Sequence, residues 1–529
     1  MDTPMKPVNL LVIGGGINGV AIARDAVRRG LSVTLLERDD IGAGTSADST
    51  KLIHGGLRYL EYGELHLVYE SLHERERLLN LAPHLVLPMR FRIPIYKQRE
   101  YSRPIIGTGL LMYDVLTGLG TQLPRHKWVS KESFLRDAPH ISTDGLRGGF
   151  EYSDAQVAFP ERLCLENALD ARDCGAEILT RHEVTGFLRE DSCVVGVTAT
   201  DRDTGEEKEF HAELTINAAG AWVDVVLNHL DPAIAHRMGG TRGMHLLFPR
   251  REGGPSKALY TPAQTDGRPF FVVPWREYYW VGTTDVEHRG DPDTAVPTVS
   301  ECDYLLKELE YLLPGAKYTA DDILYAQSGV RPLPAHNFDK PGAVTRRHII
   351  WDHQKKDRID GLLSIIGGKL TTYRSLAEQV VKIVYRRLER PVPSCPTRDL
   401  PLPGGGPVER PDGCDEELFA HLSSIYGSKT GDVMALAAEN PELAERLDPE
   451  LPDIGAQVAY AVRNEIAYHL DDVLLRRTGI GTGHTEGRGA AARAARIMAD
   501  ELGWDGDRRD QEIANYEKAV KQIHAVRDE

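Results

Sequence analysis

The sequence has few cysteines and no long apolar run. Its six cysteines include no Cys-x-x-Cys pair, which argues against a disulfide framework and against zinc or iron–sulfur sites, so we predict a reducing compartment and no bound metal. No stretch reaches the roughly 18 apolar residues that would span a bilayer. The apolar run at 8–13 is too short for the core of a signal peptide. These absences predict a cytoplasmic location without a membrane-spanning segment.

Positive charge is outnumbered by negative charge. The 63 Lys and Arg residues stand against 79 Asp and Glu residues and give a net charge of −16, which argues against binding of nucleic acid. An anionic small molecule is not excluded, because exposed charges are screened beyond about 8 Å at physiological salt and a local cluster of cations decides. With 529 residues, the chain is too long for one hydrophobic core, and two or three domains are expected.

The first forty residues contain a dinucleotide-binding pattern. A buried apolar strand leads into Gly14-x-Gly16-x-x-Gly19, a helix follows, and the next strand ends at Glu37. Gly14 permits a tight turn, Gly16 lets the backbone approach a pyrophosphate, and Gly19 lets the helix pack closely on the strand. Glu37 stands at the spacing of the carboxylate that binds a ribose hydroxyl. A glycine-rich turn before an ordinary helix is the alternative, but it does not explain Glu37.

Changes of pattern along the chain predict its domain boundaries. Short apolar runs at 245–248, 270–273 and 278–281 alternate with turns, as in an antiparallel sheet. A segment rich in Pro and Gly marks a linker at 391–407. The predicted units are a discontinuous nucleotide-binding domain at 1–90, 150–225 and 335–390, a substrate domain at 91–149 and 226–334, the linker, and a helical domain at 408–529.

The C-terminal region has a helical pattern. Apolar residues fall on one helical face in two stretches, at Val458, Val462, Ile466, Leu470 and Val473 and again at Ile513, Tyr516, Val520 and Ile523. This spacing predicts that both stretches are helices that bury one face in a helical domain.

Four segments outside the dinucleotide pattern carry a resemblance to a known family. They read Thr-Ser-Ala-Asp-Ser-Thr-Lys-Leu-Ile-His-Gly-Gly-Leu-Arg-Tyr-Leu at 45–60, Gly-Thr-Thr-Asp at 282–285, Ser-Gly-Val-Arg-Pro-Leu at 328–333 and Gly-Gly-Lys-Leu-Thr-Thr-Tyr at 367–373. With the stretch at 463–478, which looks like an added cap domain, they resemble the membrane-associated, FAD-dependent glycerol-3-phosphate dehydrogenases. The resemblance covers nearly the whole chain, and its first and last segments are much more specific than the dinucleotide turn.

The resemblance implies a fold and a cofactor. The implied fold is mixed α/β, with an FAD-binding Rossmann-like domain of the glutathione-reductase/amino-acid-oxidase type, an antiparallel-sheet substrate domain and a C-terminal helical cap domain. The implied dinucleotide is FAD rather than NAD. The residues expected to bind it are Gly14, Gly16, Gly19, Glu37, Thr45, Ser46, Lys51, Leu52, Gly220, Gly368, Lys369, Leu370 and Thr371.

The resemblance also implies an activity. The reaction is oxidation of sn-glycerol 3-phosphate to dihydroxyacetone phosphate by hydride transfer from C2 to the flavin, with electrons passed to a membrane quinone. The residues that the likeness places in the substrate pocket are His54, Arg58, Tyr59, Arg331, Arg346 and Lys369.

A dianionic phosphate needs cations. We predict Arg331 and Arg346 as the phosphate clamp, because a guanidinium binds two oxygens at once, with Arg58 and Tyr59 assisting. Arginines that are simply solvated at the surface are the alternative. Pro332 restricts the loop after Arg331, which argues against a solvated surface position for this arginine.

The substrate hydroxyl needs a proton acceptor. His54 is the candidate base because an imidazole titrates near working pH, and a structural hydrogen-bonding His is the alternative. Lys369 is the third predicted catalytic residue beside His54 and Arg331. A lysine opposes the positive end of a helix, so its place before one hints at a nearby anion, either the substrate or the reduced flavin.

Basic and apolar residues lie side by side after residue 96. Three cations precede five apolar residues, in the order Lys97, Arg99, Arg103, Ile105, Ile106, Leu110, Leu111 and Met112. This composition suits an interfacial segment on anionic lipid, and a buried helix with a charged preface is the alternative. We hypothesise peripheral association with the inner face of the cell membrane, and we leave a homodimer open.

Three other functions compete with this one. A glycerol-3-phosphate oxidase would pass electrons to oxygen and release hydrogen peroxide. An amine or amino-acid oxidase on the same fold would need a carboxylate clamp and few cations, so the set of Arg331, Arg346 and Lys369 counts against it. A flavin-holding regulatory or assembly protein would show no turnover.

Overall fold

The strands of the protein form two sheets. The computed structural model describes residues 7–97, 102–118, 120–335, 347–523 and 526–527. Its strands are β1 (Val8–Ile13), β2 (Val33–Leu36), β3 (Leu52–Ile53), β4 (Val86–Tyr96), β5 (Lys127–Ser130), β6 (Leu146–Val157), β7 (Glu177–Leu179), β8 (His182–Glu190), β9 (Cys193–Asp201), β10 (Glu207–Asn217), β11 (Thr241–Pro249), β12 (Ala258–Pro262), β13 (Pro269–Trp275), β14 (Tyr278–Gly282), β15 (Val286–Glu287), β16 (Tyr325–Arg331), β17 (Ile349–Asp352) and β18 (Leu362–Ile366).

Helices cover the first sheet and make up the C-terminal region. The α-helices are α1 (Ile17–Arg28), α2 (Leu65–Leu81), α3 (Arg103–Thr117), α4 (Lys131–Asp137), α5 (Pro160–Asp173), α6 (Val223–Asn228), α7 (Val299–Leu312), α8 (His353–Asp357), α9 (Tyr373–Arg387), α10 (Glu416–Tyr426), α11 (Thr430–Glu439), α12 (Gly455–Asn464), α13 (Arg488–Leu502) and α14 (Gly506–Ile523). A π-helical segment, Asp472–Arg477, lies between α12 and α13. Within the described ranges, no helix combines the length and the apolar character needed to cross a membrane.

The first sheet has the order β17-β18-β10-β1-β2-β7, with β9 and β8 extending from β10. The pairs of β1 with β10 and β2, and of β10 with β18, are parallel. Leu10, Leu11 and Val12 in β1 are fully buried, as expected of a central parallel strand covered on both faces. Helices α1, α5 and α9 pack together beside it.

The second sheet has the order β15-β11-β14-β13-β12-β4-β6-β3, with β16 beside β11 and β5 beside β6. Most of its pairs are antiparallel, as the alternating apolar runs predict. Strand β3, the first five residues of β4 and most of β6 come from residues predicted for the nucleotide-binding domain. Trp275 and Trp280 are buried in the core that this sheet shares with the C-terminal helices. The mixed α/β class is confirmed.

The C-terminal domain is helical, as predicted. Small residues let its helices approach closely: Ala459 of α12 and Ala490, Ala494 and Ala495 of α13 are all fully buried. The helix predicted through the stretch 458–473 is interrupted, because α12 ends at Asn464 and Ile466 has a positive φ of 57°. The carbonyls released there accept hydrogen bonds from the Arg477 side chain, which replaces the helical pairing.

Candidate functional site

The two sheets and the C-terminal domain enclose one large cavity. Its volume is about 970 Å³. One end is lined by the turn after β1 and by Glu37 at the carboxyl end of β2, which is where open α/β sheets bind their ligands. The other end is lined by His54, Arg331 and Lys369. The nucleotide motif and the predicted catalytic residues therefore share one chamber.

Backbone forms the wall at the nucleotide end. Gly14 has a φ of 107°, and a Cβ there would lie 2.8 Å from the carbonyl oxygen of Ala218. A Cβ at Gly19 would overlap the carbonyl oxygen of Gly14. Gly16 is the N-cap of α1, and the N–H of Ile17, the first residue of the helix, donates to Ser46 Oγ at 3.1 Å. A helix N-terminus preceded by glycines fits a pyrophosphate.

Glu37 is fixed where a ribose would lie. Its carboxylate accepts hydrogen bonds from the backbone N–H of Gly15 at 2.5 Å and of Asp39 at 2.8 Å. Burial raises the pKa of Glu37 to about 7, against the lowering effect of these two donors. The side chain is thereby held at the cavity wall, with its orientation set by main-chain groups on both sides.

The segment after β18 is held against the backbone of His54. Gly367 and Gly368 have φ values of 78° and 108°, which turn the chain before the 3-10 segment Leu370–Thr372. The Thr371 hydroxyl accepts from the N–H of His54 at 3.1 Å and lies 3.2 Å from the His54 carbonyl oxygen, to which it donates. These bonds fix the main chain of His54, and its imidazole lies edge-to-face with the Phe271 ring, with the ring centroids 6.4 Å apart.

Lys369 lies beside Tyr59. Its Nζ is 3.8 Å from the centroid of the Tyr59 ring and 3.3 Å from Ser71 Oγ. A cation over an aromatic face is favourable and restricts the side chain. Arg58, next to Tyr59, donates to the hydroxyl of Tyr62 at 3.3 Å. Arg58, Tyr59 and Lys369 all line the cavity, so this wall presents two cations.

Arg331 is oriented by an acidic partner. Its Nη1 lies 3.0 Å from Asp285 Oδ1, and its Nη2 donates to Thr283 Oγ1 at 2.8 Å and to the Thr284 carbonyl at 2.9 Å. Asp285 lines the same cavity. These contacts fix the plane of the guanidinium, which preorganises it for an anion.

A second histidine in the cavity is uncharged. His245 is buried, its Nε2 is 2.9 Å from Thr50 Oγ1, and its ring stacks on Trp280. Burial, together with the positive charges of Arg331 and Lys51, lowers the pKa of His245 to about 3. An imidazole with so low a pKa is a poor proton acceptor, which leaves His54 as the better placed base.

A smaller cavity adjoins the substrate end. Its volume is about 200 Å³. Arg58, Tyr260, Arg268 and Pro269 line both cavities, and Ile106 of α3 closes the far side of the smaller one. The smaller chamber therefore lies between the predicted substrate pocket and the segment predicted to meet the membrane.

The predicted residues do not all reach the cavity. Those that line it are Gly14, Gly16, Glu37, Thr45, Ser46, Leu52, His54, Arg58, Tyr59, Gly220, Arg331, Gly368, Lys369, Leu370 and Thr371. Gly19 lets α1 pack closely on β1, which is the role predicted for it. The Lys51 side chain is buried, with its Nζ 3.5 Å from Glu161 and above the rings of Trp275 and Trp280. Arg346 lies outside the described residues.

Several polar residues of the cavity were not predicted from the sequence, among them Arg268, Asp48 and Asp285. Arg268 donates to the Asp285 carbonyl at 2.6 Å, and Asp48 accepts from Gln327 at 2.5 Å. Burial raises the pKa of Asp48 to about 7. The signal for Asp48 and Asp285 was present, since both stand inside segments that carry the resemblance. No comparable signal surrounds Arg268.

Comparisons with known proteins agree with this geometry. Residues 9–374 match the family model described as FAD dependent oxidoreductase, and residues 395–509 match the C-terminal domain of alpha-glycerophosphate oxidase. The chain is 40% identical over 539 residues to the glycerol-3-phosphate dehydrogenase of Synechocystis sp., with 97% of this chain and 96% of that protein covered. The chain belongs to the FAD-dependent glycerol-3-phosphate dehydrogenase family.

Other members of this glycerol-3-phosphate dehydrogenase family extend the comparison. D-erythritol 1-phosphate dehydrogenase of Brucella abortus is 37% identical over 493 residues, which covers 89% of this chain and 94% of that protein. The solved structure of the glycerol-3-phosphate dehydrogenase from Bacillus halodurans, complexed with FAD, has a TM-score of 0.77 and 28% identity, and covers 98% of this chain and 96% of that chain. The predicted fold and the FAD cofactor are confirmed.

Proposed function

We propose that the protein oxidises sn-glycerol 3-phosphate at C2 to dihydroxyacetone phosphate and passes the electrons to a membrane quinone. The observation that carries the proposal is that Arg58, Arg331 and Lys369 line the same cavity as the dinucleotide turn. The Synechocystis relative is a glycerol-3-phosphate dehydrogenase, which supports the same substrate. An amino-acid substrate would leave this collection of cations without a purpose.

Arg331 binds the phosphate in this proposal, and Arg58 assists. The contacts of Arg331 with Asp285 and Thr283 hold the guanidinium in one plane, so less conformational freedom is lost when an anion binds. Each charge-assisted hydrogen bond to phosphate contributes about 1.5–3 kcal/mol. Arg346 keeps its predicted place as the second half of the clamp.

His54 accepts the proton of the C2 hydroxyl. FAD, when bound, supplies the hydride acceptor. Lys369 places a positive charge at the wall beside Tyr59, where it stabilises the alkoxide character that develops as the proton leaves. His245 keeps the pocket neutral at its inner side, because its low pKa prevents a further positive charge there.

Substrate identity is tested by reduction of the bound flavin without oxygen. Added sn-glycerol 3-phosphate should bleach the oxidised-flavin absorbance of the purified FAD-loaded protein, while amino acids should not. D-erythritol 1-phosphate is the matched comparison compound. Faster bleaching by it would mean that the substrate is a four-carbon phosphate ester rather than the proposed three-carbon one. Bleaching by amino acids alone would contradict the proposal, and no bleaching by any of these compounds would favour a protein without turnover.

The reduced protein should then be reoxidised faster by a soluble quinone analogue than by oxygen, whereas stoichiometric peroxide would favour the oxidase alternative.

Helix α3 and the smaller cavity lie on the side of the molecule where we place the membrane and the electron acceptor. The smaller cavity beside the substrate end has both apolar lining residues, such as Ile93 and Ile95, and charged ones, such as Arg58 and Asp266, and Ile106 of α3 borders it. One face of α3 packs inward through Leu110 and Tyr113, while Ile105, Leu111 and Val115 are 58%, 57% and 69% exposed. An exposed apolar face next to basic residues suits an interfacial helix. We propose that α3 lies on the inner face of the cell membrane; a homodimer stays a prediction.

Charge placed on α3 should release the protein from lipid. Replacing Ile105, Leu111 and Val115 by Asp should abolish recovery with vesicles of anionic lipid, because the apolar contact is lost and repulsion from the lipid charge is added. Ile106 is left unchanged because it packs against the core. Matched control substitutions are Val392→Asp and Val408→Asp, at exposed positions in the linker and beyond it. Equal recovery of the α3 variant and the control, both with wild-type flavin content, would clear α3 of this role.

A further inference from the structure

The C-terminal domain forms part of the wall of the FAD cavity. Leu475, Gly481, Thr482, Ala519 and Gln522 all line it. The nucleotide-binding sheet contributes the facing segment, residues 37–40, which we call the ribose turn because it begins with Glu37 and ends with Asp40. The ribose turn therefore lies between the first sheet and the C-terminal domain.

Asp40 joins the ribose turn to two consecutive arginines of the π-helical segment. Arg477 donates from Nη1 to Asp40 Oδ2 at 2.6 Å and from Nη2 to Oδ1 at 2.9 Å, and Arg476 donates through Nε to the same carboxylate. The side chains of Asp40 and Arg477 are 1% and 0% exposed. Burial would raise the pKa of Asp40, but Arg477 and Arg476 hold it well below its usual range. The carboxylate stays ionised and paired.

A second contact holds the main chain of the same turn. The backbone N–H of Arg181 donates to the Asp39 carbonyl at 3.0 Å, and its side chain donates to Asp472 at 2.6 Å. Asp472 also accepts from Arg476 at 2.7 Å. The backbone N–H of Asp39 in turn donates to the Glu37 carboxylate. A continuous set of hydrogen bonds thus runs from the C-terminal domain to the carboxylate expected to bind ribose.

The arginine that holds Asp40 is itself anchored. Arg477 donates from Nε to the Glu465 carbonyl at 3.0 Å and from Nη2 to the Ile466 carbonyl at 3.2 Å. Glu465 and Ile466 are the two residues that directly follow the end of α12. The interruption of α12 and the position of Asp40 are therefore linked through one guanidinium.

We propose that the C-terminal domain fixes the FAD-binding conformation of the ribose turn, with Arg477 and Arg476 as positioning residues that act through Asp40 on Glu37. FAD retention then depends on docking of the C-terminal domain, and by reciprocity FAD binding tightens that docking. The inference concerns cofactor retention alone, so it stands or falls separately from the substrate proposed above.

The rate of FAD release tests the proposal. Arg477→Lys keeps the charge but loses the two-pronged contact, and flavin release into dilute buffer, followed by the rise in flavin fluorescence, should be about tenfold faster. The matched control is Arg162→Lys, because Arg162 makes an equally buried contact from α5 to Glu465, 2.8 Å from both carboxylate oxygens, and touches no residue of the ribose turn. The control should release FAD within about twofold of the wild-type rate, and excess FAD should restore turnover of Arg477→Lys.

Two results would overturn the proposal. One is release from Arg477→Lys at the wild-type rate, and the other is equal acceleration in Arg162→Lys, which would mean that any loosening of the C-terminal domain frees the flavin. If Arg477→Lys fails to fold, hydrogen exchange in the wild-type protein decides. Removal of FAD should speed exchange in residues 465–477 and leave the middle of α13 unchanged, and unchanged exchange in both regions would reject the proposal.

Discussion

Replacing His54 by Gln should lower kcat by about 10²–10⁴-fold, the usual contribution of a positioned general base. Gln fills similar space and keeps a polar side chain, but it accepts no proton at working pH. The contacts between His54 and Thr371 are made by the His54 backbone, so the substitution leaves the segment after β18 in place. FAD content, measured from the absorbance ratio of flavin to protein, should therefore equal that of the wild type.

The pH profile separates a base from a structural histidine. In the wild type, kcat/KM should fall at acid pH as the base becomes protonated, and this limb should disappear in His54→Gln. His245 gives no such limb near neutrality, because burial keeps its pKa at about 3. A His54→Gln enzyme with nearly wild-type kcat, or with the acid limb intact, would show that the proton leaves by another group.

Replacing Arg331 by Ala should raise the KM for sn-glycerol 3-phosphate about 100-fold, because two charge-assisted hydrogen bonds of the size found in proteins are lost. FAD should stay bound, since Thr241, Thr283, Thr284 and Asp285, which contact Arg331, lie in the predicted substrate domain. Part of the effect comes from Asp285, whose carboxylate loses the neighbouring positive charge of Arg331 and repels the phosphate more strongly.

A double substitution isolates the phosphate contact. Arg331→Met with Asp285→Asn removes both charges, so the Asp285 carboxylate no longer repels the phosphate. The KM should still rise by tenfold or more, about 1.4 kcal/mol. Arg331→Lys keeps the charge but not the planar fork, and it should fall between the wild type and Arg331→Ala. A KM near the wild-type value in the double variant would mean that cations other than Arg331 bind the phosphate.

The sequence was sufficient where the signal is local. The turn after β1 and the carboxylate of Glu37 follow from periodicity and spacing within forty residues. In each case one short segment carries the whole pattern, because a strand, a turn and a helix start are determined by neighbours in the chain.

The sequence was insufficient where distant segments decide. The Lys51 ammonium lies among Glu161, Trp275 and Trp280, all more than a hundred residues away in the sequence. Nothing in the sequence near Lys51 therefore predicts that its side chain lies outside the cavity. The break at Ile466 depends on Arg477 folding back onto the freed carbonyls. In α3, Leu110 and Tyr113 are buried while Ile105, Leu111 and Val115 are exposed. The sequence does not distinguish these two sets, because only tertiary packing selects which apolar face turns inward.

The central claim is that one cavity holds a phosphate ester against Arg331 beside the flavin. It is tested most directly by a crystal structure of the FAD-loaded His54→Gln protein with sn-glycerol 3-phosphate, since slow turnover preserves the substrate. We predict phosphate oxygens within hydrogen-bond distance of the Arg331 guanidinium and C2 in contact with the flavin ring. A phosphate bound away from Arg331, or a C2 carbon out of reach of the ring, would contradict the account.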